Sequence, residues 1–462
     1  MNKLKSMQIT EKKVKIFFVI LVFLLTLIIS TNIKYGNAPD EEMKYVVCKY
    51  IYENNSLPIG SDPAIINTLW GTSYGFTPVL SYIFSGIFMK IISIFTTDKM
   101  ALCIAARFTS VLCYTGLAII TIKIADKIFE EKKIYKWLFI VMITCLPQLM
   151  FLGSYINNDS LAMFSIALII YAWICGIKSK WKWKDVITLG IGIGICALSY
   201  YNAYGYILTS VILFIISFFI NNKEKIKVNI YNLLKKGLVI SAIALVIAGW
   251  WFVRNYIIYD GDFLGREASD KCAEINASPE YKPSIHETPQ KIGESVWQVL
   301  IERNWLSQTI KSFIGMFGFN AIAIPNILYK LYCLIYLVGF IGAIIYVITN
   351  LKKKYYNKEK NKLLLEIIFI INILISLYLS FIYSYTSDFQ PQGRYIMPIL
   401  IPFMYFTTIG LKQVLESILN IGIIKEKIEK KIKIQKLEKI LIVTLTIVLF
   451  IIPFIFLPRA WK

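Results

Sequence analysis

The chain has 462 residues, 57% hydrophobic and 15% aromatic, with a formal net charge of +21 and a mean hydropathy of +0.60. Soluble globular domains are about 45–50% apolar, and here the excess falls in runs of roughly 17–22 residues, enough for a helix to cross about 30 Å of hydrocarbon. That excludes a soluble enzyme, and lysines confined to short blocks between the runs are a topology signal that speaks against nucleic acid as a partner.

In chain order, the first run, 14–31, follows the basic flank "EKKVK" and lacks a small-residue cleavage site, so it reads as a retained first helix. Further apolar segments lie near 76–96, 100–122, 137–155, 160–177, 185–201, 203–220, 237–253, 327–349, 363–383, 395–411 and 439–457. The basic N-terminus and the blocks at 126–136, 178–184, 221–236, 351–362 and 425–439 read as cytoplasmic, because inner loops carry the excess of Lys and Arg. The N-terminus and the 126–136 block share a side only if one intervening segment does not cross. Segment 76–96 begins near Pro78 and carries Lys90, which suits a helix lying at the interface. The expectation is a single integral, all-α domain over 1–462 with about 11 transmembrane helices, N-terminus cytoplasmic and C-terminus extracytoplasmic. It carries a first outer loop at 33–99 with interfacial helices, a large outer loop at 254–326 and a basic cytoplasmic loop at 412–438. The stretch 425–439 reads equally as a basic amphipathic helix on the inner leaflet or as a solvated loop.

This topology sends the unusual polar clusters to one side. "APDEE" (38–42) follows the first span, "YINNDS" (155–160) turns between two spans, and "SYYNAYGY" (199–206) forms a tyrosine-rich turn. "GWWFVRNYIIYDGDFLG" (249–265) leaves a span with Arg254 at its boundary, and "SDFQPQGRY" (387–395) brings Asp388, Gln392 and Arg394. Singly, each reads as a helix cap, an interfacial aromatic belt or a snorkelling arginine. Together, acids and arginines converge at one depth, where ionisable groups are costly and tend to serve function. Arg254 and Arg394 would hold a phosphate through forked donors, while Asp40 or Glu41 would take a proton from a hydroxyl or coordinate a cation. Arg107, just inside its span, is a further pocket candidate. His286 is the only histidine, and no Cys/His spacing suggests zinc.

"PDE" after the first span, "NND", "GWWFVRNY" with "YDGDFLG", "KSFIGMFGF" and "QGRYIMPILIP" together resemble an uncharacterised bacterial family of multi-spanning proteins. That family falls in the GT-C glycosyltransferase superfamily, beside protein O-mannosyltransferases and lipid A aminoarabinose transferases. The resemblance covers about residues 30–410. It implies a GT-C-like fold in the bacterial cytoplasmic membrane and an inverting transfer from a polyprenyl-phosphate-linked sugar to a glycan, lipid or protein acceptor on the outer face. By the same resemblance Asp40, with Glu41 adjacent, is the catalytic base. Asp159, with Asn158, positions substrate or binds a divalent cation such as magnesium or manganese, and Arg394 contacts the donor phosphate. The rival readings are a lipid-linked sugar or polysaccharide transporter, which would show intramembrane polar residues near the midplane or broken helices in corresponding halves, and an assembly partner with a degenerate site.

Overall fold

A computed structural model describes residues 2–130, 133–221, 226–419 and 431–461. The helices are α1 (Asn2–Asn32), α2 (Glu41–Asn54), α3 (Leu80–Ile92), α4 (Lys99–Ile128), α5 (Lys133–Thr144), α6 (Pro147–Leu152), α7 (Asp159–Ser179) and α8 (Trp183–Ala197). They continue as α9 (Gly205–Asn221), α10 (Ile226–Ile258), α11 (Arg266–Asn276), α12 (Trp305–Gly315), α13 (Asn326–Lys352), α14 (Tyr355–Lys358), α15 (Lys360–Thr386), α16 (Leu400–Leu419) and α17 (Lys431–Phe456). A two-residue hairpin pairs 316–317 with 322–323. The molecule is an all-α polytopic membrane protein.

Among the described residues, nine helical segments are long and apolar enough to cross a bilayer: α1, α4, α7, α9, α10, α13, α15, α16 and α17 with their flanking turns. Two shorter segments run between the same two ends of the bundle. Helix α8, fifteen residues long, joins the lysine-rich end of α7 to the tyrosine-rich turn. The α5–α6 pair forms a broken rod: Lys136 at its start binds Glu11 and Asp126 at the lysine-rich end, and the turn after Leu152 reaches Asp159 at the other. The break falls at Cys145–Leu146, just before Pro147, whose ring has no N–H and suits the first turn of a new helix. Almost every residue from 138 to 152 is buried, and the Tyr114 hydroxyl donates to the Thr144 carbonyl released there. A broken helix is tolerated at membrane depth because it lies in protein rather than lipid.

Segment 76–96 folds as α3, thirteen residues and about 20 Å long, too short for the hydrocarbon core. It packs beside the start of α4, where the Ser85 hydroxyl donates to the Ala106 carbonyl at 2.8 Å, and it leaves Phe84, Ile87, Ile91, Ile94 and Phe95 on an exposed apolar face. Lys90 lies 5.7 Å from the Tyr52 ring of α2 rather than in the bundle. The first connection thus holds the two helices α2 and α3.

The ends of the bundle differ in chemistry. One, here the lower end, carries the network of Glu11, Lys15, Asp126, Lys133 and Lys136, which ties α1 to α4 and α5. The other, the upper end, carries Asp40, Asp159 and Arg394. Of the basic stretch 425–439, residues 431–439 begin α17; the rest lies outside the described residues.

Candidate active site

Three separate stretches build a small cavity at the upper end. The first is the turn after α1. Asp40 caps α2 in the left-handed region, at φ 58° and ψ 10°, where a non-glycine residue is uncommon and strained. Its side chain makes no capping bond to the helix. Instead Asp40 Oδ2 accepts from Arg394 Nη2 at 2.7 Å and lies 3.8 Å from Lys44 Nζ, one helical turn on. Lys44 is almost wholly buried and its ammonium stands 4.9 Å from the Tyr74 ring centre.

The second stretch is "YINNDS". Asn157 Oδ1 accepts from the Ser160 backbone N–H at 2.9 Å and its amide donates to the carbonyls of Leu152 and Tyr155, so this side chain fixes the α6–α7 turn. That leaves Asp159 in the first turn of α7, buried, facing the cavity, with its carboxylate in no hydrogen bond or ion pair to another side chain among the described residues. Asn158 donates to the Pro78 carbonyl at 3.1 Å.

The third is "QPQGRYIMPI". Pro398 cannot continue an α-helical ladder, and residues 393–399 wind as a tighter 3₁₀ stretch before α16. Freed carbonyls are caught by the tyrosine-rich turn: Tyr206 donates to Pro398 at 2.7 Å and Asn202 to Tyr395 at 3.1 Å. Gly393 lies so close to α12 that a Cβ there would sit 2.0 Å from the Phe313 nitrogen. The "QGRY" and "SFIG" motifs are therefore one contact, and it sets the position of Arg394.

The cavity, about 50 Å³, is lined by Lys44, Tyr74, Thr77, Pro78, Tyr82, Asn158, Asp159, Tyr200, Tyr201, Arg394 and Tyr395. Behind it runs a relay: Arg394 Nη2 donates to the Tyr395 hydroxyl, which donates to Gln390 Oε1; that oxygen also accepts from Gln392, and the Gln390 amide donates to Asp388. Three buried atoms of lining residues have no hydrogen-bond partner among the described residues, the Nε donor of Arg394, the Oδ1 acceptor of Asn158 and the Tyr82 hydroxyl. Orphaned groups of this kind in a polar hollow are suited to a ligand that both accepts and donates.

Burial raises the pKa of Asp40, but the Arg394 and Lys44 charges outweigh it and hold the carboxyl well below the usual carboxylate range. Burial pushes the Lys44 ammonium down from the ordinary lysine value, against the pull of Asp40. Asp40 is therefore an anion at neutral pH and, while Arg394 holds it, a weak base.

A divalent cation fits these residues poorly. Magnesium keeps several waters and takes one or two carboxylates beside a substrate phosphate, and those carboxylates have to be free of competing cationic side chains. The described residues contain no cluster of three or more acidic, histidine or cysteine side chains, and the fields of Lys44 and Arg394 already act on both Asp40 and Asp159.

Three expected residues lie elsewhere. Glu41, one position and about 100° around the helix from Asp40, points away from the cavity. It is fully buried, with Oε1 and Oε2 held by Arg107 at 2.7 and 2.6 Å and a further bond from the Ile156 N–H. Arg107 spends its remaining donors on the Ser30, Ile33 and Lys34 carbonyls, closing the end of α1. This pair is an anchor for the "PDE" turn, which corrects both the second-base reading of Glu41 and the pocket reading of Arg107. Arg254 does not line the cavity either: it donates to the Pro58 carbonyl at 2.7 Å and stacks on Trp251, pinning the first outer connection. Asp388 and Gln392 act behind Arg394 rather than in the cavity. Lys44, Tyr74, Tyr82, Gln390 and Tyr395 were not singled out from sequence. Lys44 had a signal there, a lysine one helical turn after Asp40.

Residues 26–403 match the sequence profile of a family described as a predicted membrane protein (DUF2142). The chain belongs to this family. None of the curated proteins matches it in sequence. Among solved structures it is similar to the apo oligosaccharyltransferase of Archaeoglobus fulgidus (14% identity, TM-score 0.55, 96% of this chain and 56% of that one). The archaeal oligosaccharyltransferase AglB from the same organism, in complex with an inhibitory peptide and a dolichol-phosphate, is similar at 13% identity and TM-score 0.54 over 96% and 56%. ArnT from Cupriavidus metallidurans, bound to undecaprenyl phosphate, is similar at 11% identity and TM-score 0.52 over 96% and 76%. These proteins are GT-C glycosyltransferases, and the fold of this DUF2142 chain is the GT-C fold. The chain spans little more than half the length of the oligosaccharyltransferases.

Proposed function

We propose that this DUF2142 protein is an inverting GT-C glycosyltransferase that moves a sugar from a polyprenyl-phosphate donor to an envelope acceptor at the outer face of the bacterial cytoplasmic membrane. The observation that carries the reading is a cavity lined by Lys44, Asp159 and Arg394, with Asp40 held behind that lining by its bond to Arg394, drawn from segments up to 354 residues apart, at one end of a GT-C bundle.

The donor's phosphate docks on Arg394, whose Nε is free to form the second arm of a fork, and on the Lys44 ammonium. Phosphate competes with Asp40 for Arg394, so donor binding loosens the 2.7 Å pair and raises the basicity of the carboxylate. Asp40 then takes the proton of the acceptor hydroxyl as its oxygen attacks the anomeric carbon. The bond from that carbon to the phosphate oxygen breaks and polyprenyl phosphate leaves, its charge held by Arg394 and Lys44. Asp159 positions the acceptor or the sugar hydroxyls. The transporter reading loses its best support, because Arg107 is not an isolated midplane charge but half of a saturated pair.

The test is to incubate purified protein with a panel of polyprenyl-phosphate sugars and candidate acceptors and follow donor consumption. Asp40→Asn is expected to lower turnover at least about 100-fold while the protein inserts normally. Wild-type turnover by Asp40→Asn would remove the base assignment, and no consumption of any donor by the wild type would remove the transferase reading.

A further inference from the structure

A second, larger cavity of about 320 Å³ opens at the lower end, lined by Lys127, Lys178, Lys182, Lys184, Tyr171 and Cys175, with Ser179 and Asp185. Three helices make it: the last turn of α4, the last turns of α7, and the first turn of α8. Helix α7 has Asp159 at one end and Ser179 at the other, about 30 Å apart, so this cavity is separate from the upper site.

Its charge is only partly compensated, four lysines against the carboxylates of Asp185 and Glu130. The carboxylate of Asp185 is taken by the Ser179 hydroxyl, and Glu130 is taken by Lys178 at 3.0 Å. Lys178 also donates to the Lys127 carbonyl at 2.9 Å, which fixes the rim. Lys127, Lys182 and Lys184 are exposed and form no ion pair among the described residues. Such a site selects an anion with several acceptor oxygens. Its inner wall is Tyr171 and Cys175, half-buried on the membrane-spanning part of α7 one and two turns from Ser179, and exposed Trp183 stands beside the mouth, as aromatic residues do at headgroup level. A basic hollow between helices with an apolar wall toward the bilayer fits a phosphate that carries acyl chains better than a soluble phosphate.

We infer that the cavity framed by Lys127, Lys182 and Lys184 binds the headgroup of an anionic phospholipid in the leaflet opposite the upper site. The lipid bridges α4, α7 and α8, and α7 also frames the upper site.

Native mass spectrometry of the purified full-length protein, titrated with phosphatidylglycerol or with phosphatidylcholine of the same chains, tests this. Wild type is expected to retain one phosphatidylglycerol in preference to phosphatidylcholine. K127Q/K182Q/K184Q should weaken that retention on the order of 100-fold, and K127R/K182R/K184R should keep it. Equal retention of the two lipids, or retention unchanged in the Gln variant, overturns the site. Full displacement by millimolar inorganic phosphate would reassign it to a soluble phosphate and overturn the lipid. None of these readouts depends on sugar transfer.

Discussion

Asp40 combines a left-handed backbone with a side chain drawn away from its own helix toward Arg394, 354 residues later. Its partners exist only in the folded chain and depress its pKa. The ionised form therefore contributes stability above the ordinary carboxylate pKa of about 4, and that contribution is lost as pH falls further, through the folded value. A kinetic consequence follows from the same pair. The free enzyme keeps Asp40 ionised down to strong acid, so kcat/KM should show no acid limb from this group between pH 5 and 7. In the donor complex phosphate has taken Arg394, and the acid limb of kcat should move upward toward the usual carboxylate range or beyond. Measuring both profiles on one polyprenyl-phosphate sugar checks this; a kcat/KM limb near pH 6 that vanishes in Asp40→Asn would contradict the resting pair. At this scale the sequence made Asp40, Asp159 and Arg394 legible because each is a costly charge at a span end. It could not distinguish Asp40 from Glu41, since the N-cap and the first helical residue diverge and only the tertiary partner, Arg394 for Asp40 and Arg107 for Glu41, decides which one joins the cavity-lining arginine.

Two elements hold the site by close backbone approach, a requirement visible in sequence only as glycine. A Cβ on Gly393 would meet the Phe313 nitrogen at 2.0 Å, and one on Gly410 would meet the Gly339 carbonyl oxygen at 1.8 Å, where α16 crosses α13. Both obstacles are backbone, so neither can turn aside as a flexible side chain would. Small residues permit this approach between membrane helices, where packing rather than hydrophobicity drives association. Gly393→Ala and Gly410→Ala should each cost about 1–3 kcal/mol, read as a fall in Tm of the detergent-solubilised protein. Gly249→Ala is the control: its Cβ would make ordinary contact with Leu245 at 3.5 Å within α10, and its Tm should hold or rise. Gly393→Ala should in addition lose transfer more than Gly410→Ala, because the displaced backbone carries Arg394. Equal Tm in all three variants would refute the packing argument. The broken α5–α6 rod was less legible: "CLPQLM" signals a break at Pro147, yet hydropathy alone reads through it, since the segment is apolar on every side for the reason that it is buried on every side.

Across the whole molecule, the two ends sort their charge in the way that lysine-rich blocks imply from the sequence. Carboxylates and arginines of the site gather where α2, α7 and the 393–399 turn begin, and the unpaired lysines gather where α4 and α7 end. With α8 and the α5–α6 pair running between the ends and α3 left on the upper side, the lysine-rich connections share an end with the start of α1. The lysine-rich end then reads as cytoplasmic; were the bundle inserted the other way round, every connection would change sides, and α11 and the 351–359 turn would exchange compartments. The two arrangements are separable on intact cells. Glu280 is exposed in the connection after α10 and Lys353 is exposed after α13, so Glu280→Cys should react with a membrane-impermeant maleimide, whereas Lys353→Cys should react only after permeabilisation. The opposite pattern would put the cavity of Asp40 and Arg394 in the cytoplasm and remove the outer-face reaction along with it. The lipid site would then move to the external leaflet. The hollow's uncompensated lysines would still select an anionic headgroup there, so the labelling experiment separates where each site lies from what each one binds.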